Sequence, residues 1–141
     1  MKELLLLIPL FFYCLSGICD AVIDTLQFHY SKSIFTDYNE QWWNPAISWT
    51  NKYVDHDVNK GLKKITILGF ITIDYPVQLT DAFHFFKMWR EVFNTAAITS
   101  ALCVGTNFTS LKWYIVLIFF CLVGEARNKV FNLFFNKILI K

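Results

Sequence analysis

The sequence predicts an all-α membrane protein with three transmembrane helices, a tryptophan-rich interfacial loop and a C-terminal amphipathic helix, in one integral membrane domain over residues 1–141. Hydrophobic residues make up 55% of the chain and charged residues 17%, which is too apolar for an ordinary soluble domain of this length. The apolar residues are gathered in blocks, as in helical membrane proteins. Tryptophan and tyrosine are concentrated in a polar connection, where the membrane–water boundary favours them.

Charge and cysteine content argue against two other classes of protein. The formal net charge is +2, and no basic run is interleaved with aromatic residues, so we expect no nucleic-acid partner. The four cysteines lie inside apolar blocks without a C-x-x-C pair, which indicates small buried side chains and not a zinc site or a disulfide framework. They are Cys14, Cys19, Cys103 and Cys121.

The first apolar block, 4–27, is either a cleaved signal peptide or a transmembrane helix. A signal peptide needs a positively charged start and small residues before the cleavage site. Lys2 is followed by Glu3, so the start has no net positive charge, and the sequence around Ser16 has no A-x-A pattern. The block also continues past Asp20 with helical spacing. These features favour an uncleaved transmembrane helix.

One face of this first helix is predicted to be polar. Ser16, Asp20, Asp24 and Gln27 recur at helical spacing. Two carboxylates one turn apart repel each other, which raises a pKa or attracts a cation between them. The simpler interpretation, which we favour, is that both carboxylates lie in headgroup water just beyond the hydrocarbon.

The connection 28–79 is predicted to lie at the membrane surface and to cover the mouth of the bundle. Trp42, Trp43 and Trp49 suit an interfacial loop, and Pro45 disfavours helix at the residue before it. Its last part, 65–79, is apolar but too short to span a bilayer as a helix. We expect a surface segment there, either a short helix or an extended piece.

The second span is predicted over 80–105. Thr80 is a suitable N-cap, and Asp81 in the first turn complements the helix dipole. Asp81, His84, Lys87 and Glu91 fall on one side of this helix. Ionisable groups are costly in lipid, so the first turns should lie in the interface or line a cavity.

The third span is predicted over 111–124 and is followed by an amphipathic tail, 125–141. The tail combines a polar face with Phe, Val and Ile on the remainder of the helix. It either continues the third helix to meet the other polar faces or lies flat on the membrane. We favour the flat tail. The polar face comprises Glu125, Asn128, Lys129, Asn132 and Asn136.

Orientation follows from the basic residues that flank the spans. Most basic residues lie in the loop and the tail, and the other side of the predicted membrane has only Lys2 and Lys112. The positive-inside rule therefore places the N-terminus out and the C-terminus in. The basic residues of the loop and tail are Lys32, Lys52, Lys60, Lys63, Lys64, Arg127, Lys129, Lys137 and Lys141.

This orientation gathers a polar cluster near the cytoplasmic end of the bundle. We expect it to serve structural ion pairing, lipid-headgroup binding or partner binding, the partner being another membrane protein or a second copy of the chain. Its candidate members are Asp20, Asp24, His29, Asp81, His84, Lys87, Arg90 and Glu91.

Two alternative functions remain open. Asp81 and His84, one turn apart, could hold a divalent metal together with Asp24, which would suit a hydrolase acting on a lipid-type substrate. Lys87 and Arg90 oppose this alternative, because they would repel a cation. Proton or ion transport is the second alternative, and three spans make a narrow pathway unless the chain oligomerises.

Three stretches together resemble a family of small bacterial membrane proteins without assigned function. They are DTLQFHYSKSIF (24–35), WWNPAISWTNKY (42–53) and TDAFHFFK (80–87). The resemblance covers most of the chain from Gly17 onward. It implies that these stretches belong together in one membrane domain, and it carries no activity, cofactor or catalytic residue.

Overall fold

The computed structural model describes residues 7–105 and 113–141, and their fold is mostly helical, as predicted. Three long helices form its body: α1 (Leu7–Phe28), α2 (Ala82–Gly105) and α3 (Trp113–Leu133). The outermost positions of two predicted spans, 4–6 and 111–112, lie outside the described residues. α2 begins two residues later than predicted.

Within the described residues, one helix, α1, is long and apolar enough to cross a membrane. The prediction of three transmembrane helices is therefore not supported by helix composition. The physical reason is that α2 and α3 carry charged residues inside their length, including Arg90 and Glu91 in α2 and Glu125 and Arg127 in α3.

The three helices pack side by side, and α2 runs opposite to the other two. Phe12 of α1 stacks on Phe93 of α2 with ring centroids 6.4 Å apart, while Ala82 at the start of α2 packs in the same core cluster as Leu26 near the end of α1. Pairing of early with late residues makes α1 and α2 antiparallel. α3 follows α1 in the same direction, because its Phe119 shares a groove with Pro9, whereas Arg127, further along α3, contacts Asp20, further along α1.

The buried core lies at the end of the bundle where α1 finishes and α2 starts. Its members come from all parts of the chain and are Ala21, Val22, Leu26, Phe35, Ala82 and Leu139. Leu26 is 1% exposed. The connection after α1 contributes Phe35 to this core, so the loop is part of the folded body.

That connection consists of short helical turns. Two are four-residue α-helices, Glu40–Trp43 and Pro45–Ser48, and the others are 3₁₀ turns: Tyr30–Lys32, Ile34–Asp37, Trp49–Lys52, Val54–His56, Val58–Lys60 and Val77–Leu79. Asn44 is extended, with ψ 110°, and its side chain accepts a hydrogen bond from the Ala46 N–H at 3.0 Å. Pro45 thus excludes its predecessor from a helix, as predicted, and is itself the first residue of one.

The segment 65–79, for which a short helix or an extended piece was expected, forms a β-hairpin followed by a 3₁₀ turn. β1 (Lys64–Ile67) and β2 (Ile71–Asp74) pair antiparallel. At the turn, Leu68 and Gly69 both have positive φ, 55° and 78°. Ile67 pairs with Ile71, so the loop has three residues, and its two successive positive-φ residues match the twist of antiparallel strands.

The tail does not lie flat on its own, which corrects the prediction for 125–141. α3 continues through Glu125 without a break to Leu133, and a π-helical turn follows over Phe134–Leu139. Leu139 is 4% exposed, and Ile140 pairs with Ser33 in an isolated β-bridge. Phe131, Phe134 and Phe135 also pack against the core, while Ile138 stays 43% exposed. The alternative of a continued third helix therefore describes the structure.

Candidate functional site

A charged cluster joins the three helices at one level. Asp20 of α1 accepts hydrogen bonds from two guanidinium groups: Arg90 of α2, at 3.3 Å, and Arg127 of α3. The three side chains are largely sheltered, with exposures of 18% for Asp20, 27% for Arg90 and 24% for Arg127. One carboxylate therefore ties together three helices that are distant in sequence.

The backbone of α1 is shaped to receive Arg127. Ser16 and Gly17 are buried, and a methyl group added at Gly17 would lie 3.0 Å from the Arg127 Cγ and 3.1 Å from its carbonyl oxygen. The Arg127 Nε also donates to the Ser16 hydroxyl at 3.4 Å, and its guanidinium lies 5.3 Å from the centre of the Tyr13 ring. Small residues on α1 thus let α3 approach closely, and polar and aromatic groups hold its arginine.

Each charged side chain of the cluster is paired with a group of opposite charge. Arg90 donates to Glu91 at 2.5 Å as well as to Asp20, so both guanidinium groups have carboxylate partners. Glu91 is 63% exposed, so Asp20 is the sheltered anion between them. Charged pairs of this kind contribute little net stability when intact, but removing one partner leaves an uncompensated charge.

Asp81 and His84 form a second polar group, at the start of α2. Asp81 is buried, and its carboxylate accepts from the His84 N–H at 2.9 Å and from the Thr80 hydroxyl at 3.0 Å. The same carboxylate lies 2.8 Å from the His84 Nδ1. Asp81 is therefore the N-cap of α2, a role that the sequence analysis gave to Thr80; the helix starts one residue beyond Asp81.

The structure does not assemble the predicted metal set of Asp24, Asp81 and His84. Among residues 7–105 and 113–141, no three His, Cys, Asp or Glu side chains lie close enough together to share one metal ion. Both carboxylate oxygens of Asp81 already accept hydrogen bonds at the helix start. Asp81 orients the imidazole of His84 and has little acceptor capacity left for a cation.

The remaining predicted members of the cluster are dispersed. His29 is exposed and contacts the Phe135 ring edge-on at 5.3 Å. Lys87 is exposed, and Asp24 is partly buried on α1 one turn beyond Asp20. The single polar cluster expected from the sequence is thus divided into the Asp20–Arg90–Glu91 group and the Asp81–His84 pair.

Sequence reasoning missed Arg127 as a member of the site. It was assigned to a surface tail, although it is the innermost basic residue after the uncharged run of α3. An arginine adjoining an apolar helix needs an anionic partner when it is sheltered, and Asp20 adjoins the uncharged run of α1 in the same way. Matching the first acidic residue after the uncharged run of α1 with the first basic residue after that of α3 would have paired them.

The loop is held on the bundle by aromatic stacking and one amide. Trp43 stacks on Phe35 with ring centroids 4.4 Å apart and lies 6.0 Å from Phe86 of α2. The Asn51 amide donates to the carbonyl oxygens of Gln41 and Thr80, both at 2.7 Å. The three stretches that carried the sequence resemblance are therefore in contact, and the loop covers one end of the bundle as predicted.

An apolar groove of about 200 Å³ lies between the three helices, on the side of the charged cluster that is farther from the loop. Tyr13, whose ring contacts Arg127, separates the groove from the charges. The lining is almost entirely apolar and comprises Pro9, Tyr13, Ala97, Ile98, Ala101, Phe119, Phe120 and Val123.

Comparison with known proteins gives no relative: no family model matches the chain, and neither a curated protein nor a solved structure is found to match.

Proposed function

We propose that this chain is a small polytopic membrane protein whose Arg90–Asp20–Arg127 cluster is a structural lock. The lock fixes three membrane-crossing helices and presents the loop-covered end of the bundle at the membrane surface for lipid headgroups or a partner. The observation that carries the proposal is the common level of the charges. In the half of the bundle that is farther from the loop, none of the three helices carries a charged residue. The first charged residue met on going toward the loop is Asp20 in α1, Glu91 in α2 and Glu125 in α3.

The uncharged halves of the three helices lie together and present large apolar side chains outward. On soluble proteins, an exposed apolar surface that extends over several elements is rare, and a bilayer would cover it. Leu102 is 67% exposed, and Leu122 is 64% exposed. Other exposed members of this surface are Leu7, Ile8, Phe11, Ile98, Ile118 and Phe120.

Pairing of the charges makes a three-span arrangement physically acceptable. Each uncharged half is about 20 Å long at 1.5 Å per residue, shorter than the roughly 30 Å of hydrocarbon, so the first charges would lie in or near its edge. Ionisable groups at that depth face the bundle interior and pair with one another. Arg90, Asp20 and Arg127 do so.

The loop and the tail lie at the same end of the bundle, which supports the predicted orientation. The Lys141 ammonium lies 2.6 Å from the Asp37 carboxylate in the loop. Both basic segments are thus on one side of the proposed membrane, as the positive-inside rule requires of a cytoplasmic side. We propose an N-out, C-in topology in a bacterial inner membrane.

Two other functions, a metal-dependent hydrolase and ion transport, have less support in the described residues. The first depended on Asp81 as a ligand, and its oxygens are occupied by hydrogen bonds at the start of α2. No observation in the described residues favours the second.

Membrane extraction tests the integral arrangement. After expression, membranes are washed with alkaline carbonate, and the chain is expected in the pellet until detergent is added. A fusion of green fluorescent protein to the C-terminus through a flexible linker should fluoresce, because that side is cytoplasmic. Recovery of the chain in the carbonate supernatant would refute the membrane-crossing helices, and a dark fusion in the pellet would refute the orientation alone.

A further inference from the structure

The β-hairpin is amphipathic, and its apolar side is left uncovered. In its register Ile65 pairs with Ile73 and Ile67 with Ile71, so four isoleucines share one face. The other face carries the Thr66–Thr72 pair, whose hydroxyls are 3.2 Å apart. Seven of the eight strand residues are exposed, and Ile65 is half-buried. A two-stranded hairpin is at best marginally stable alone, so this isoleucine face calls for a covering surface.

The hairpin tip is the most exposed large apolar feature in the described part of the chain. Leu68 is 77% exposed and Phe70 is 76% exposed. Leu68 also has φ 55°, a conformation that Asn, Asp and Gly adopt readily and that costs other residues about 1 kcal/mol. An apolar residue at a strained, exposed turn opposes both local preference and solubility, and such conflicts are expected at functional positions.

Charge is excluded from the tip and collected at the base. No charged residue occurs from Ile65 to Ile73, whereas Lys63 and Lys64 precede this run and Asp74 ends it. Lys52 lies beside the same base, because its carbonyl oxygen accepts from the Lys63 N–H at 2.8 Å. An uncharged tip above a lysine-bearing base complements an anionic lipid surface, with the apolar side chains in the boundary layer and the ammonium groups among the phosphates.

We propose that the tip of this hairpin inserts into the interfacial layer of an anionic membrane. The inference rests on the proposed membrane location and adds a second, peripheral contact to it. The uncharged part of each strand is about three residues long, or about 10 Å at 3.3 Å per residue. That length matches the 5–10 Å depth of the headgroup–acyl boundary. The unpaired strand edges stay within reach of water at this depth, which the hydrocarbon would not allow.

Depth-dependent quenching tests the insertion. The four native cysteines are replaced by serine, and Phe70→Cys is labelled with an environment-sensitive fluorophore. The full chain is then placed in nanodiscs of phosphatidylcholine and phosphatidylglycerol. Asn59→Cys, in the exposed 3₁₀ turn before the hairpin, is the matched control. Shallowly brominated lipids are expected to quench the label at position 70 at least twofold more than the label at position 59, and aqueous iodide is expected to do the reverse.

The outcomes separate the hairpin from the proposed function. Equal accessibility of both labels to iodide, in chain that stays in the nanodiscs, overturns the insertion alone. The insertion is also overturned if the label at position 70 is protected from iodide only at high protein concentration and is not quenched by brominated lipid, since a second copy of the chain then covers the tip. Chain that elutes apart from the nanodiscs refutes the membrane-crossing helices; the same label mixed with vesicles then decides the insertion by whether brominated lipid quenches it. Circular dichroism of each variant confirms the fold.

Discussion

Replacing Asp20 by asparagine is the sharpest test of the charged cluster. The substitution keeps the size of the side chain and one acceptor oxygen but removes the negative charge between Arg90 and Arg127. Removing one partner of a buried ion pair costs about 3–5 kcal/mol. Here the carboxylate is 18% exposed and the guanidinium groups 24–27%, so water relieves part of the cost. We expect a loss of about 2 kcal/mol in the free energy of unfolding, roughly a 30-fold shift in the equilibrium.

The measurement is unfolding in mixed detergent micelles, followed by far-ultraviolet circular dichroism as the denaturing detergent is increased. Asp24→Asn is the matched control, because it removes the same charge one turn further along α1, where no described guanidinium is hydrogen-bonded to the side chain. Its cost should stay within about 0.5 kcal/mol. A double-mutant cycle with Arg127→Gln should give a coupling of at least about 1 kcal/mol. Equal losses for the two aspartate variants, or no coupling, would refute the lock.

Three further substitutions test separate contacts by the same unfolding assay. Gly17→Ala should lower the free energy of unfolding by about 1 kcal/mol, because the added methyl meets α3 at 3.0 Å. In the control Gly124→Ala the methyl meets nothing within 4 Å, so this variant should be neutral or stabilised by up to about 1 kcal/mol. The opposite order of stability would contradict the close approach of α1 and α3. Asp81→Ala should cost about 1–2 kcal/mol through loss of the helix cap, and an unchanged midpoint would show that the cap is dispensable. Trp43→Ala should cost about 2–3 kcal/mol because it leaves a void between two rings, whereas exposed Trp49→Ala should cost less than about 1 kcal/mol; similar losses would show that the stacking does not hold the loop.

The local features of the fold were readable from the sequence because neighbouring residues determine them. The second helix was expected over 80–105 and is found at Ala82–Gly105. The approach of Asp81 to His84 follows from their separation of three residues at a helix start. Pro45 disfavoured helix at Asn44, and Asn44 is extended.

The non-local features were not readable in the same way. Asp20 and Arg127 are 107 positions apart, and their pairing depends on how α1 packs against α3 through Gly17. Amphipathic spacing in the tail was compatible with a membrane surface or with a protein surface. Which of the two surfaces the tail packs on depends on whether the folded loop leaves room for Leu139 in the core, and the local sequence pattern contains no information about that.

The β-hairpin illustrates an intermediate case. Its β-branched residues and Gly69 indicated an extended piece as one of two possibilities. The turn was not predicted, because two successive positive-φ residues are normally Asn-Gly or Asp-Gly, and Leu68 stands at the first of these positions.

The bridge between Ser33 and Ile140 has a consequence for how the molecule is made. α1 and α2 can associate before α3 and the tail are available, since both helices precede α3 in the chain and leave the ribosome first. The core beneath the loop stays incomplete until Leu139, which follows Leu26 and Phe35 far along the chain, has also left the ribosome. Contacts between residues so far apart in sequence are slow to form. Until then the apolar underside of the loop is open, and a nascent chain stalled shortly before residue 139 should be more sensitive to protease in the loop than the released protein.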